Sequence, residues 1–290
     1  MLNYDRTSKM NSIKNHSIYF LIISILITIL TSGCRDEKEA DTRPVICVTN
    51  SWLECAVKDI AGDYVKIVRL LPPGHCPGHF DLSPKHLDDI RKSDVVLRFH
   101  FQSGMDGAFK GALKQGAEIC SVKIGEGQCV PDTYFSSATE VSKYLSKRFP
   151  EKSSDFYKNI KILKKRLDEL TNSAQIKAKE LGLEDKNILC SKHQAVFCRW
   201  LGMNVLAEFQ DLSDAAASDV ADILQKVGEQ KVDFIVGNFQ GGSSFAMALA
   251  ERFGAPIIVL SNFPSMLENE NSFEKLVSNN IEKFRSNISE

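Results

Sequence analysis

Seven short apolar runs, at residues 45–49, 65–71, 94–99, 117–122, 187–190, 233–236 and 255–260, alternate along the chain with amphipathic segments of helical period. Strands that alternate with helix-length segments argue for parallel pairing, because a parallel neighbour requires a crossover long enough to carry the chain back to the starting end of the sheet. The pattern predicts an α/β fold of mainly parallel sheets flanked by helices. Between the fourth and fifth runs the rhythm changes. Apolar residues fall at Phe156, Ile160, Leu163, Leu167, Leu170, Ala174, Ala178 and Leu181, in steps of three or four with no Gly or Pro before Gly182. Such spacing marks one amphipathic helix. At 1.5 Å per residue it reaches roughly 40 Å, enough to join two lobes stiffly. A coiled-coil partner is the weaker alternative, because the pattern occurs once.

With 290 residues, 43% hydrophobic and 25% charged, the chain has material for two lobes with their own cores. Its formal charge is -1, and setting aside residues 1–33, which carry Arg6, Lys9, Lys14 and Asp5, leaves 33 basic against 36 acidic side chains. A near-neutral surface of mixed sign gives no electrostatic footprint for nucleic acid. The N-terminus is organised differently. Its three cations precede "IYFLIISILITIL" at 18–30, thirteen residues against the ~20 needed to span a bilayer, which predicts an export signal.

Polar residues of ligand type gather directly after the predicted strands, where open α/β sheets bind ligands. The stretch "LPPGHCPGHFDLSP" at 71–84 places His75, Cys76 and His79 within five residues; His100 follows 94–99, and His193 follows 187–190. Asp132, Asn238 with Gln240, and Ser261 with Asn262 follow other strands. His86 falls in a helix opened by Ser83 and Pro84, opposite Leu87 and Ile90, which predicts a solvated ring; His75 is also read as exposed. Asp132 is either a ligand or a helix N-cap. Beyond Cys34 the chain holds seven cysteines, an odd number, so at least one thiol is unpaired. Cys76 is either a metal thiolate or a disulfide partner, Cys129 being one candidate, and Cys47 reads as a small buried hydrophobe.

Two resemblances sharpen these expectations. The end of the apolar leader, "LTSGC", is similar to the bacterial lipobox, with Thr31 where Leu is usual; this implies cleavage after residue 33 and lipid on Cys34, with 34–43 as a tether. The mature chain resembles the zinc and manganese solute-binding lipoproteins of bacterial ABC importers. The segments "VTNSWLECAVKDIAGDYVKIVRLLPPG", "CPGHFDLSP", "KSDVVLRFHFQSGMD", "NILCSKHQAVFCRWLGMNV" and "VDFIVGNFQGGSSFAMALAERFGAPIIVLSN" carry it, in family order over some 240 residues. The family fold implies an N-terminal lobe at 44–150, a linking helix at 151–182 and a C-terminal lobe at 183–290. His79 stands at the family's first histidine ligand, although Gly78 is inserted before it, and His193 at the third. The family's second histidine has Asp132 as its nearest match, and its final aspartate ligand falls at Ser261 or Asn262, where hydrogen bonding to ligands is the expected role. A histidine-rich loop is absent.

The resemblance implies a receptor outside the cytoplasm, anchored to the membrane by lipid, that binds a divalent transition metal between its lobes and passes it as a monomer to an ABC permease with its ATPase. Imidazole donors and a thiolate from Cys76 favour zinc; carboxylate and water favour manganese, and iron(II) is a further alternative. The metal-ligand set expected is His79, His193, Cys76, His100 and Asp132. No hydrolase or phosphate-loop motif is seen, so catalysis is not expected. Two other functions compete: a metal-sequestering or adhesin-type lipoprotein without a permease, and, less well supported, a zinc hydrolase with Asp81 or Asp132 as base.

Overall fold

The computed structural model describes residues 41–73, 75, 78, 81–211 and 217–288. The leader, Cys34, Cys76 and His79 lie outside the described residues. Val45–Val48 (β1), Lys66–Arg69 (β2), Val95–Phe99 (β3) and Glu118–Val122 (β4) form a parallel sheet in the order β2-β1-β3-β4. A second parallel sheet repeats that order as β6-β5-β7-β8, built from Asn187–Ser191 (β5), Asn204–Phe209 (β6), Phe234–Asn238 (β7) and Ile257–Leu260 (β8). Each apolar run supplies a strand, with ends that differ by a residue or two: most are trimmed, while Asn187–Ser191 and Phe234–Asn238 run one and two residues beyond the predicted ends. Strand β6 was not anticipated. It is an edge strand whose Asn204 and Glu208 are exposed and whose Val205 and Leu206 are half-buried, so it presents no continuous apolar run.

The crossovers are helical: Ser51–Ala61 (α1), Pro84–Lys92 (α2), Asp106–Ala112 (α3), Pro131–Arg148 (α4), Ser153–Glu180 (α5), Lys192–Trp200 (α6), Ala217–Val227 (α7), Ser244–Phe253 (α8) and Phe273–Ile288 (α9). Helix α5 is the long helix foreseen from its periodicity. Its 28 residues, about 42 Å at the usual rise, bury Phe156, Ile160, Leu163, Leu167, Leu170, Ala174 and Ala178 along one face. It stops where the chain can turn. Gly182 adopts φ +62°, and the amides of Gly182 and Leu183 donate to the carbonyls of Lys179 (2.9 Å) and Ala178 (3.0 Å), closing a Schellman motif.

Strand alternation sorts the side chains into three cores. Ile46, Val48, Val95 and Leu97 of the first sheet and Ile188, Cys190, Val236 and Ile258 of the second point into one cluster that also takes the buried stripe of α5. The intervening residues face the other way: Cys47 and Val96 pack with Ile90 and Phe109, and Leu189 and Ile235 pack with Ile223 and Leu249. The sheets thus share a core on one face and keep separate cores on the other. Trp52, fully buried, sits in the shared core with its ring edge-on to Phe99, Tyr134 and Phe273. Polar bonds run through the same region. Tyr134 donates to Asp59 Oδ2 at 2.6 Å, and Arg166 of α5 donates to Asp59 Oδ1 at 2.9 Å and to Glu274 of α9.

Candidate functional site

In a sheet of order 2-1-3-4 the chain winds one way from β1 and the other way from β3, so a crevice opens between their carboxyl ends. Both sheets have this switch point, at β1/β3 and at β5/β7. A cleft of about 470 Å³ lies against both, lined by Gly78, His100, Phe101, Ile124, Gly125, Glu126 and Gln128 from the first half and by His193, Asn238, Gln240, Gly241, Asn262 and Phe263 from the second. His100 and His193, both exposed, therefore share one cavity. Gly78, from the His75–His79 loop, lines it as well.

The turn carrying His100 is pinned from below. Arg98, only 5% exposed, grips both oxygens of Asp106 (2.5 and 2.6 Å) and donates to Ser121 Oγ at 2.9 Å and to the carbonyls of Phe99 (3.0 Å) and His100 (3.5 Å). Buried Gln102 accepts from Thr49 Oγ1 at 2.8 Å and from the Phe99 amide at 3.0 Å, tying the turn to the end of β1. The Arg98 hydrogen bonds hold the Asp106 carboxyl below the usual carboxylate range.

His193 is the second residue of α6, held by its backbone. Ser191 caps the helix, its Oγ accepting from the His193 amide at 3.3 Å. Behind the histidine lies a set of buried amides: Gln194 Nε2 donates to Asn238 Oδ1 (3.1 Å) and Asn262 Oδ1 (3.0 Å), and Asn262 Nδ2 donates to the His193 carbonyl (3.4 Å). Gln240 closes the ring, accepting from the Asn262 amide at 2.9 Å and donating to Ser261 Oγ at 2.8 Å. Ser261 and Asn262 thus brace the loop after β8, and the Asn262 oxygen is taken up by Gln194.

Two carboxylates escaped the sequence reading. Glu126 is exposed on the cleft wall, in a loop after β4 whose spacing gave no signal. Asp211 follows β6, the strand that was not foreseen. Its Oδ2 accepts from Ser191 Oγ at 2.6 Å, while Oδ1 is buried with no hydrogen-bond partner among the described residues. Burial pushes the Asp211 carboxyl up, against the Ser191 hydroxyl, the His193 side chain and the neighbouring Asn238 amide, which favour its charged form.

The remaining candidates are placed elsewhere. Asp132 is exposed in the first turn of α4, where Val130 and not Asp132 holds the N-cap position, and it does not line the cleft. His75 is exposed, its Nδ1 3.3 Å from the Pro73 carbonyl. His86 is half-buried, contrary to a solvated ring, because it completes a capping box: its amide donates to Ser83 Oγ (3.3 Å) and its Nδ1 accepts from the Ser83 amide (3.1 Å). Asp81 is exposed and is not part of the cleft wall. Cys47, Cys55, Cys120, Cys129, Cys190 and Cys198 are buried free thiols, and burial pushes those of Cys47 and Cys120 up to about 12. Cys129 donates to the Ser261 carbonyl at 3.1 Å. Among the described residues no three His, Cys, Asp or Glu side chains converge on one metal-sized point; His79 and Cys76 are outside that set.

A family model described as "Zinc-uptake complex component A periplasmic" matches residues 46–287. The manganese-binding lipoprotein MntA of Bacillus subtilis (strain 168) is 25% identical over 233 residues, covering 72% of this chain and 76% of its own. The zinc-binding protein TroA of Treponema pallidum (strain Nichols) is 24% identical over 218 residues, covering 68% and 70%. Among solved structures, the periplasmic zinc-binding protein TroA from Treponema pallidum superposes with a TM-score of 0.69 at 18% identity, over 85% of this chain and 99% of that one. A cadmium-bound periplasmic metal-binding protein from Candidatus Liberibacter asiaticus superposes with a TM-score of 0.72 at 15% identity, over 85% and 100%. The structural likenesses establish a shared fold.

Proposed function

Because the chain belongs to the periplasmic zinc-uptake component A family, we propose that it captures a divalent transition metal, zinc first, in the cleft between its two sheets and delivers it to an ABC permease with its ATPase. The observation that supports this most is the meeting of two switch points on one cleft that His100 of the first half and His193 of the second both line. His193 and His79 are the primary ligands, with Cys76 or His100 completing the donors. Imidazole and thiolate suit tetrahedral zinc. No helix among the described residues is long and apolar enough to cross a membrane; attachment is assigned to lipid on Cys34, after removal of residues 1–33, with 34–43 as tether.

The protein acts by binding and release, without catalysis, on the outer side of the cytoplasmic membrane and as a monomer. Metal analysis of the mature chain, purified without chelator, tests this reading. About one zinc per chain is expected; a preparation that neither retains nor takes up a divalent metal contradicts it.

A further inference from the structure

Zinc held by imidazoles alone keeps its full double charge, so a buried site is stabilised by an anionic donor. Where the resemblance places an aspartate after the last strand the chain has Ser261 and Asn262, neither of them anionic, and the oxygen of the Asn262 amide is already bonded to Gln194. A carboxylate stands next to His193 instead. Ser191 links the two, accepting from the His193 amide at 3.3 Å and donating to Asp211 Oδ2 at 2.6 Å.

The surroundings of Asp211 are built for it. A Cβ on Gly241, a residue of the cleft wall, would fall 2.3 Å from Asp211 Cβ and 2.6 Å from Oδ2, so any larger residue would displace the carboxylate. Gly241 has no positive φ. Its lack of a side chain serves space and not backbone conformation. With Oδ2 fixed by Ser191, Oδ1 is left buried and makes no hydrogen bond of normal geometry among the described residues, its polar neighbour being the Asn238 amide. An unsatisfied buried carboxylate oxygen is costly, and a bound cation removes that cost.

We propose that Asp211, which lies directly behind Gly241 of the cleft wall, is the carboxylate of the metal site beside His193, replacing in function the aspartate that the resemblance places at Ser261 or Asn262. This rests on the metal-capture reading above and adds a ligand that motif spacing does not reveal.

The test is zinc affinity by competition with a chromophoric chelator on the mature, metal-stripped chain, together with the visible spectrum of the cobalt(II)-loaded form. Asp211→Asn weakens zinc binding roughly 100-fold or more and changes the cobalt spectrum, whereas the metal-free protein unfolds at the same or a higher temperature. Gly241→Ala, which crowds the carboxylate, lowers affinity in the same direction. Adding Asn262→Asp to Asp211→Asn recovers part of the affinity by returning a carboxylate to the cleft. If the parent chain binds zinc tightly and Asp211→Asn matches it in affinity and spectrum, the assignment of Asp211 is overturned while metal capture stands. If the parent chain binds no divalent metal, the underlying reading fails instead. A variant that shifts the metal-free unfolding temperature downward but keeps the parent affinity also overturns the assignment, since Asp211 is then structural.

Discussion

Arg166, on the long helix, donates to Asp59 of α1 at 2.9 Å, and the same guanidinium holds Glu274 of α9. One cation therefore joins the first sheet's leading helix, the connecting helix and the C-terminal helix. Burial pushes the Asp59 carboxyl up, while the Tyr134 hydroxyl and Arg166 pull toward the charged form. Removing Arg166 raises it further. A group whose folded pKa lies above its unfolded value adds stability at low pH and loses it as pH rises. Arg166→Ala is thus expected to cost about 2 kcal/mol at pH 7, below the figure for a fully buried pair because the Arg166 side chain is 41% exposed, and less near pH 4. Urea unfolding at the two pH values measures this.

Asp106 gives the opposite pH dependence. Hydrogen bonds from Arg98 lower its pKa, so its contribution is complete above the ordinary value of 3.8 and is lost as pH falls through the depressed folded value. Asp106→Asn leaves the buried Arg98 guanidinium without an anion and is expected to cost on the order of 2 kcal/mol at pH 7, with the difference from the parent shrinking below pH 4. Since Arg98 also holds the His100 carbonyl, the His100 amide should exchange faster with solvent in the variant. A parent-like exchange rate at His100 counts against the brace.

The shared core limits motion. The inner faces of both sheets and the stripe of α5 pack into one cluster, so opening a wide hinge would expose fully buried Leu163 and Val236. Metal binding is expected to shift loops at the cleft and leave the radius of gyration nearly unchanged in small-angle scattering. A compaction of several ångströms on adding zinc would show that the lobes do close on a hinge.

Thiol chemistry separates Cys76 from its six described counterparts. Those are buried, and burial raises the pKa of the Cys129 thiol, as it does for Cys47 and Cys120, so native alkylation of this group should be slow. If Cys76 supplies a thiolate, zinc protects one fast-reacting thiol, and Cys76→Ser removes that fast phase and lowers affinity. Equal reaction rates with and without zinc would transfer the role to His100.

How much of this could be read from the chain follows from where each signal resides. Buried parallel strands are largely apolar along their length, so runs such as Val45–Val48 and Ile257–Leu260 announce themselves, and the period of α5 is unbroken from Phe156 to Ala178. Strand β6 is legible on one side only, because an edge strand exposes Asn204 and Glu208. Its loss hid Asp211, which is recognisable only by its place two residues beyond that strand. His100 and His193 could be placed at a common cleft because parallel sheets gather the loops after their strands at one end. Glu126 could not: its loop leaves β4 with no turn motif or ligand spacing, and only the packing of the chain brings it to the wall.

The most direct measurement of the central claim is zinc affinity of the mature chain by chelator competition, compared among the parent, His79→Ala and His193→Ala, and followed from pH 7.5 to 5. Each substitution is expected to weaken binding by roughly 100-fold or more, and parent affinity to fall below about pH 6, since imidazole coordinates only when neutral. Unchanged affinity in both variants would contradict metal capture at this cleft.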